Sequence, residues 1–315
     1  MSKFMKVVWI ILGILLAAII IIGIYFYNIL NDIQVEQEAI VTPETQVSYP
    51  TVPGINHILL VGVDSANTEV ATRSDAMMLL TFDSVHDNVK LTSFVRDAYV
   101  NIPGYGYEKL THAYAYGGAD LLIETVRQNF QVDVSRYIVV DFKSFIVLVD
   151  MLEGVEATLE ERDLREFNRV ANENYRKYYD SSGEAFETID EPGTYTLNGY
   201  QTLAYVRMRK SDSIYAREER QRIVVEKVFN KVIRMPFNMY SKLFKEVLPY
   251  ITTNISPFEL MKFGFTALQL GTDDIRQLEF PDPNKGIEGN LPGKGWVLQW
   301  DEEAGRKELH EFLNQ

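Results

Sequence analysis

The hydrophobic pattern divides the chain before any residue is singled out. Residues 7–27 are 21 consecutive positions without a charge or a proline, long enough as a helix to cross roughly 30 Å of hydrocarbon. Lys3 and Lys6 precede this run, and Asp32, Glu36 and Glu38 follow it. The positive-inside tendency therefore predicts residues 1–6 as a cytoplasmic N-terminus, 7–27 as a transmembrane helix and everything after it as extracytoplasmic. Trp9, Tyr25 and Tyr27 stand where interfacial aromatics are expected. A cleavable leader is the rival reading; the run is too long for one, and no A-x-A-like site follows. Residues 28–55 are polar and acidic, with Pro43, Pro50 and Pro53, and read as a stalk.

Beyond the stalk the periodicity changes to that of a folded body spanning 56–315. Runs at 57–63, 76–82 and 89–95 have strand character, and "YIVVD" (137–141) reads as a buried strand. Leu122, Val126 and Phe130 recur every four residues, as do Val224/Val225, Val228/Phe229 and Val232/Ile233, predicting helices over 120–130 and 221–234. Phe142, Phe145, Ile146, Val149 and Leu152 form one helical face that Gly154 stops. Ser256-Pro257-Phe258-Glu259 is a capping box with proline at the first helical position. The stretch 160–179, rich in both charge signs and weakly periodic, reads as a solvated excursion, helical in part, and the glycine-rich 284–296 as a loop. No internal repeat is present. Strands interleaved with helices predict one α/β domain: an α-β-α arrangement with a central mixed sheet.

Composition narrows the function classes. With 31 basic and 44 acidic residues the net charge is −13, which disfavours nucleic acid as a partner because no cation surplus exists to displace phosphate counterions. The chain has no cysteine, so disulfides, thiolate metal sites and a cysteine nucleophile are excluded.

Against that acidic background two clusters stand out. Asp64, Arg73, Asp75, Arg96 and Asp97 each lie at a predicted strand end, and sequential strands usually neighbour one another. Arg207, Arg209, Arg217 and Arg220 crowd a helix junction in "RMRKSDSIYAREERQ". Carboxylates hold hard divalent cations, Mg²⁺ typically through one or two of them plus substrate phosphates. Guanidinium groups grip phosphate oxygens in pairs. Together these are the components of a phosphoryl-transfer site. The same residues equally suit structural ion pairs at strand ends. His112 is a core or turn residue or a functional one, His57 and His86 read as strand-edge or turn residues, Met77 and Met78 as core, and Glu218 and Glu219 as local helix partners of Arg217 and Arg220.

The ordered set "NHILLVGVDS", "RSDAMMLLTF", "KLTSFVRDAYVNIPGYGYEKLTHAYAYGG", "YIVVDFKSFIVLVDMLEGVE", "LNGYQTLAYVRMRK" and "AREERQ" resembles the LytR-CpsA-Psr family. The resemblance covers roughly residues 55–235 and leaves the C-terminal third, read as helical, uncovered. It implies a membrane-anchored phosphotransferase that moves a glycopolymer (teichoic acid, capsular or secreted polysaccharide) from a polyprenyl-pyrophosphate carrier onto peptidoglycan as a phosphodiester, releasing polyprenyl phosphate. A lipid-pyrophosphate hydrolase and a non-enzymatic envelope regulator are the alternatives. It further implies Mg²⁺, or Mn²⁺, at Asp64 and Asp75. The pyrophosphate would be held by Arg73, Arg96, Arg207, Arg209, Arg217 and Gln221, with Asp75, Arg96 and Arg73 as the catalytic group and Phe142 with the following helix as candidates for the lipid channel. One departure is evident: Ile214 and Ala216 stand where many relatives carry the Asp and Gly of a D-x-G-R pattern.

Overall fold

A strand buried on both faces reads as an almost unbroken apolar run, and β1 (Ile55–Val63) is such a strand. Leu59, Val61 and Val63 face one hydrophobic cluster, while Ile58 and Leu60 face another on the opposite side. The computed structural model describes residues 49, 51–64, 73–179, 185–209, 214–247, 250–271 and 275–315. The predicted span 7–27 and most of the stalk lie outside them. Among the described residues no helix is long and apolar enough to cross a membrane.

β1 is flanked by β2 (Ser74–Asp83), which continues to β3 (Asn88–Phe94). The small hairpin of β4 (Tyr99–Ile102) and β5 (Gly106–Lys109) follows, then β6 (Arg136–Asp141) on the other side of β1. β7 (Val155–Leu159) pairs with β8 (Gly193–Leu197) in a separate ribbon. β9 (Ile251–Thr253) and β10 (Ile275–Phe280) close the two edges of the central sheet, whose order is β10-β3-β2-β1-β6-β9. β11 (Ile287–Leu291) and β12 (Gly295–Gln299) form a terminal hairpin. β1, β3, β6 and β10 run one way, β2 and β9 the other. The sheet is mixed, as the alternation of strands and helices predicts.

Helices cover both faces. On one face α1 (Leu110–Phe130) and α8 (Glu302–Leu313) bury Leu122, Val126, Phe130, Leu309 and Leu313 against the sheet. A lateral lobe contains α2 (Phe142–Met151), α3 (Leu164–Tyr178) and α4 (Gly199–Arg207), packed with β7 and β8. The second face carries α5 (Ile214–Ile233) and α7 (Pro257–Leu270), where Val225, Phe229 and Phe263 meet Met78, Leu80 and Phe82, while α6 (Phe237–Val247) packs against α2. The capping box at Ser256 and Glu259 is formed and starts α7.

Two expectations change, and a third gains its packing. The charged stretch 160–179, expected to be helical in part, contains α3, whose Leu164, Phe167, Val170 and Ala171 fill the lateral core, while its charged residues other than the buried Glu166 face outward. The glycine-rich 284–296 holds most of the β11–β12 hairpin, with the positive-φ glycines Gly293 and Gly295 at its turn. The C-terminal third is not simply helical, because it supplies both edge strands of the central sheet.

Candidate active site

The antiparallel pairing of β1 and β2 shifts at one place: Gly62 lies opposite Ala76, but Val63 lies opposite Ser74. Asp75 is the extra residue of this bulge, a device that re-aims a side chain at a strand end. It is aimed at Arg96, one residue beyond Val95 at the exit of β3. Arg96 Nη1 donates to Asp75 Oδ1, and Arg96 Nε donates to Asp97 Oδ2 at 3.3 Å. Asp97 is also bridged by Lys109 Nζ at 2.9 Å. Backbone contacts tie these ends together: Thr111 N donates to the Arg96 carbonyl at 3.0 Å, and the Thr111 hydroxyl to the Ser74 carbonyl at 2.7 Å.

Asp64 follows β1 directly and is exposed, with Lys177 Nζ of α3 at 3.5 Å from its carboxylate. Arg73 is exposed at the head of β2, close enough for its charge to act on His112. Burial lowers the His112 pKa, and Arg73 adds to that, while the hydrogen bond to Glu108 at 3.2 Å opposes it.

The second arginine cluster meets the first. Arg217, in the first turn of α5, is only 6% exposed. Its guanidinium pKa is pushed down, first by burial and then by Arg96 and Arg209, with Glu218 and Asp75 pulling the other way. Its Nε has no hydrogen-bond partner among the described residues. A buried, unsatisfied guanidinium beside two others is an arrangement that an anion would complete. Arg209 itself is exposed, and its backbone N–H is fixed by Glu166 at 2.9 Å. Arg207 ends α4, donates to Asn174 Oδ1 at 2.6 Å and lies 4.8 Å over the Phe142 ring. Phe142 is thereby packed under a cation in the lateral core. Gln221 Nε2 donates to the Val206 carbonyl at 3.4 Å. Arg220 serves the α4 terminus, donating to the Met208 carbonyl at 2.9 Å.

Glu218 is the main correction. It is buried, and its pKa is raised, first by desolvation and then by the facing carboxylate of Glu279 on β10. Arg222, one turn on, donates to Ser93 Oγ at 2.6 Å and approaches Glu279 Oε2 at 3.4 Å. Glu218 still feels its helix neighbour Arg217, but the larger influences on it are burial and Glu279. The signal was present: Glu218 is in phase with Arg222, Val225 and Phe229, which places it on the sheet-facing side of α5.

A divalent cation can be weighed on the donor set. Among the described residues no group of three or more His, Asp or Glu side chains gathers for a metal. What exists is two carboxylates at adjoining strand ends, each now neutralised by a cation, Lys177 or Arg96. That suits Mg²⁺ completed by substrate phosphate oxygens and does not suit an all-protein cage.

The LytR_cpsA_psr family model matches residues 23–302, well beyond the 55–235 that the motifs cover. The chain belongs to the LytR-CpsA-Psr family. It is 38% identical over 178 residues to the polyisoprenyl-teichoic acid–peptidoglycan teichoic acid transferase TagT of Bacillus subtilis (strain 168), a match covering 55% of this chain and 52% of that protein. The chain thus spans about half the length of that relative. It is 28% identical over 267 residues to the regulatory protein MsrR of Staphylococcus aureus (strain COL), covering 82% of this chain and 74% of that one. The solved structure of TagT with bound octaprenyl pyrophosphate lipid superposes with a TM-score of 0.62 at 26% identity, covering 86% of this chain and 95% of that one.

Proposed function

We propose that this chain is a phosphotransferase that takes a glycopolymer from a polyprenyl-pyrophosphate carrier and joins it to peptidoglycan through a phosphodiester. The observation that carries the reading is the meeting of Arg96, Arg209 and Asp75 around the buried Arg217, with Arg96 bound to Asp75, where β1, β2 and β3 expose their ends. Three guanidinium groups and Lys109 against the carboxylates of Asp75 and Asp97 leave a positive surplus that a pyrophosphate neutralises. The names of relatives point the same way, since TagT is a teichoic acid transferase and its structure holds octaprenyl pyrophosphate.

In the proposed reaction an acceptor sugar hydroxyl attacks the phosphorus that bears the polymer. A new O–P bond forms, the anhydride P–O bond breaks, and the electron pair leaves with polyprenyl phosphate. Arg96, Arg209 and Arg217 offset the charge that builds on the phosphoryl oxygens, with Arg73, Arg207 and Gln221 as further contacts. Asp75 is the candidate for receiving the hydroxyl proton, once pyrophosphate competes for the Arg96 guanidinium that now binds it. Asp64 would hold Mg²⁺ or Mn²⁺, and Asp75 would either share the ion or take the proton, not both; when bound, the ion supplies charge neutralisation at the phosphates. Residues 7–27 anchor the chain as a single-pass protein with the body extracytoplasmic, in reach of lipid-borne donor.

Incubating the full chain with lipid-linked polymer, Mg²⁺ and peptidoglycan fragments tests the reading. Polymer joined to peptidoglycan by an acid-labile phosphodiester is the expected product. Release of free polymer phosphate alone identifies a hydrolase and overturns it.

A further inference from the structure

Tyr105, Tyr107 and Tyr116 leave 54%, 47% and 41% of their surfaces open to solvent. A single exposed aromatic needs no explanation, whereas a cluster of them marks a contact site. Tyr105 stands at the tip of the β4–β5 hairpin between Gly104 and Gly106, whose φ angles of 79° and 76° belong to the left-handed region that glycine accepts. Its ring stacks on that of Tyr116 in α1, with centroids 4.5 Å apart and planes at 22°. His112, one turn before Tyr116, lies 5.7 Å from the same ring. Tyr107 lies on the other face of the hairpin, where it packs against Tyr99 at 5.4 Å and donates to Glu302 Oε1 at 3.2 Å.

This aromatic surface is continuous with the charged edge. Leu110 N donates to the Ala98 carbonyl at 2.9 Å and Thr111 N to the Arg96 carbonyl at 3.0 Å, so α1 and the hairpin are fixed to the strand end carrying Arg96. Lys109 binds Asp97, the second carboxylate held by Arg96. His112 lies within the electrostatic reach of Arg73. Polar groups rim the rings: Glu108 accepts from His112 and forms an ion pair with Lys294.

We infer that Tyr105 and Tyr116, with Glu108 and His112 at their rim, form the subsite for the acceptor: a pyranose ring of an amino-sugar glycan strand. The inference rests on the proposed transferase reading and names where its acceptor binds. A pyranose presents a face of C–H bonds that packs on an aromatic ring, while its hydroxyls and amides remain at the edge for polar partners. Tyrosines provide that area rigidly, at low entropic cost. An acyl chain or bilayer is a poor occupant, because it would strand the Glu108–Lys294 and Asp97–Lys109 pairs without water. A polyol contacts both kinds of group.

The test uses the full chain in detergent micelles and a soluble strand of alternating N-acetylglucosamine and N-acetylmuramic acid as probe. Tyr105→Ala and Tyr116→Ala are compared with Tyr105→Phe and Tyr116→Phe, by titration and by steady-state transfer. The alanine variants are expected to weaken glycan binding about tenfold and to raise the glycan KM equally, with kcat and octaprenyl pyrophosphate binding unchanged. The phenylalanine variants are expected to stay close to wild type, since the ring face is the contact. Wild-type glycan affinity in the alanine variants overturns the inference. So does a matching loss of lipid pyrophosphate binding, or a change in oligomeric size showing that the rings cover a second copy. A wild-type chain that binds glycan through these rings but transfers nothing overturns the transferase reading and leaves the subsite standing.

Discussion

Arg96 holds Asp75 with Nη1 and Asp97 with Nε, so one guanidinium joins the bulge of β2 to the strand end beyond β3. A pyrophosphate that engages this guanidinium competes with Asp75 for it. A lysine in its place has no planar fork with which to hold both carboxylates. Arg96→Lys and Arg96→Ala are expected to lower transfer by about 10²- to 10³-fold, the scale for loss of one preorganised charge-stabilising donor. Product formation from lipid-linked polymer measures this, and circular dichroism melting checks that the fold survives.

Lys177 and a divalent cation compete for Asp64 if the carboxylate has the proposed role, because Lys177 lies 3.5 Å from it. Asp64→Asn is expected to raise the Mg²⁺ concentration needed for half-maximal activity by roughly 10- to 100-fold, by analogy with lost metal-site groups. Lys177→Ala is expected to shift it the other way. Activity titrations with Mg²⁺ and Mn²⁺ after chelator treatment separate the two; identical curves for all three proteins would remove Asp64 from the metal site.

Glu218 links stability to pH. Its pKa is raised from 4.5 to about 8 by burial and by Glu279. The native state therefore keeps a proton that the unfolded state has lost. That contribution is complete below about 4.5 and disappears as pH rises toward about 8. Glu218→Gln mimics the protonated form. Between pH 5 and pH 8.5 wild type is expected to lose on the order of a few kcal/mol relative to this variant. Urea denaturation of both proteins at the two pH values reads the difference directly.

His57 acts in the opposite direction. It faces Thr81 Oγ1 at 2.9 Å, and burial lowers its pKa from 6.5 to about 4. The unfolded chain takes up a proton between those values while the native chain does not, so stability is full above pH 6.5 and falls as pH drops through about 4. Allowing for the side chain's partial exposure, His57→Gln should remove about 2 kcal/mol of the stability lost on going from pH 7 to pH 4. Denaturant midpoints across that range test it; parallel pH profiles would contradict it.

Much of the body was legible in the sequence because periodicity reports which side of an element is buried. The apolar runs of β1, β2 and β3, the fourfold repeats of α1 and α5, and the capping box of α7 all satisfy local rules that need no partner to be named. The α3 helix was harder, since its outward charges outnumber the apolar residues that fill the lateral core. The sequence likewise singled out Asp64, Arg73, Asp75, Arg96, Arg209 and Arg217, and the ordered motifs identified the family.

Partner choice was decided by the tertiary structure. Spacing left open whether the charges at the strand ends pair with their sequence neighbours; the bulge at Gly62/Val63 turns Asp75 toward Arg96. Lys177 approaches Asp64 from a helix 113 residues away, and Glu218 meets Glu279 only because α5 lies over the β3–β10 edge. A side chain's face is set by the dihedrals of its own segment, and sequence carries that information. Which charge it meets depends on how distant segments cross, and one residue of register shift is enough to exchange one partner for another.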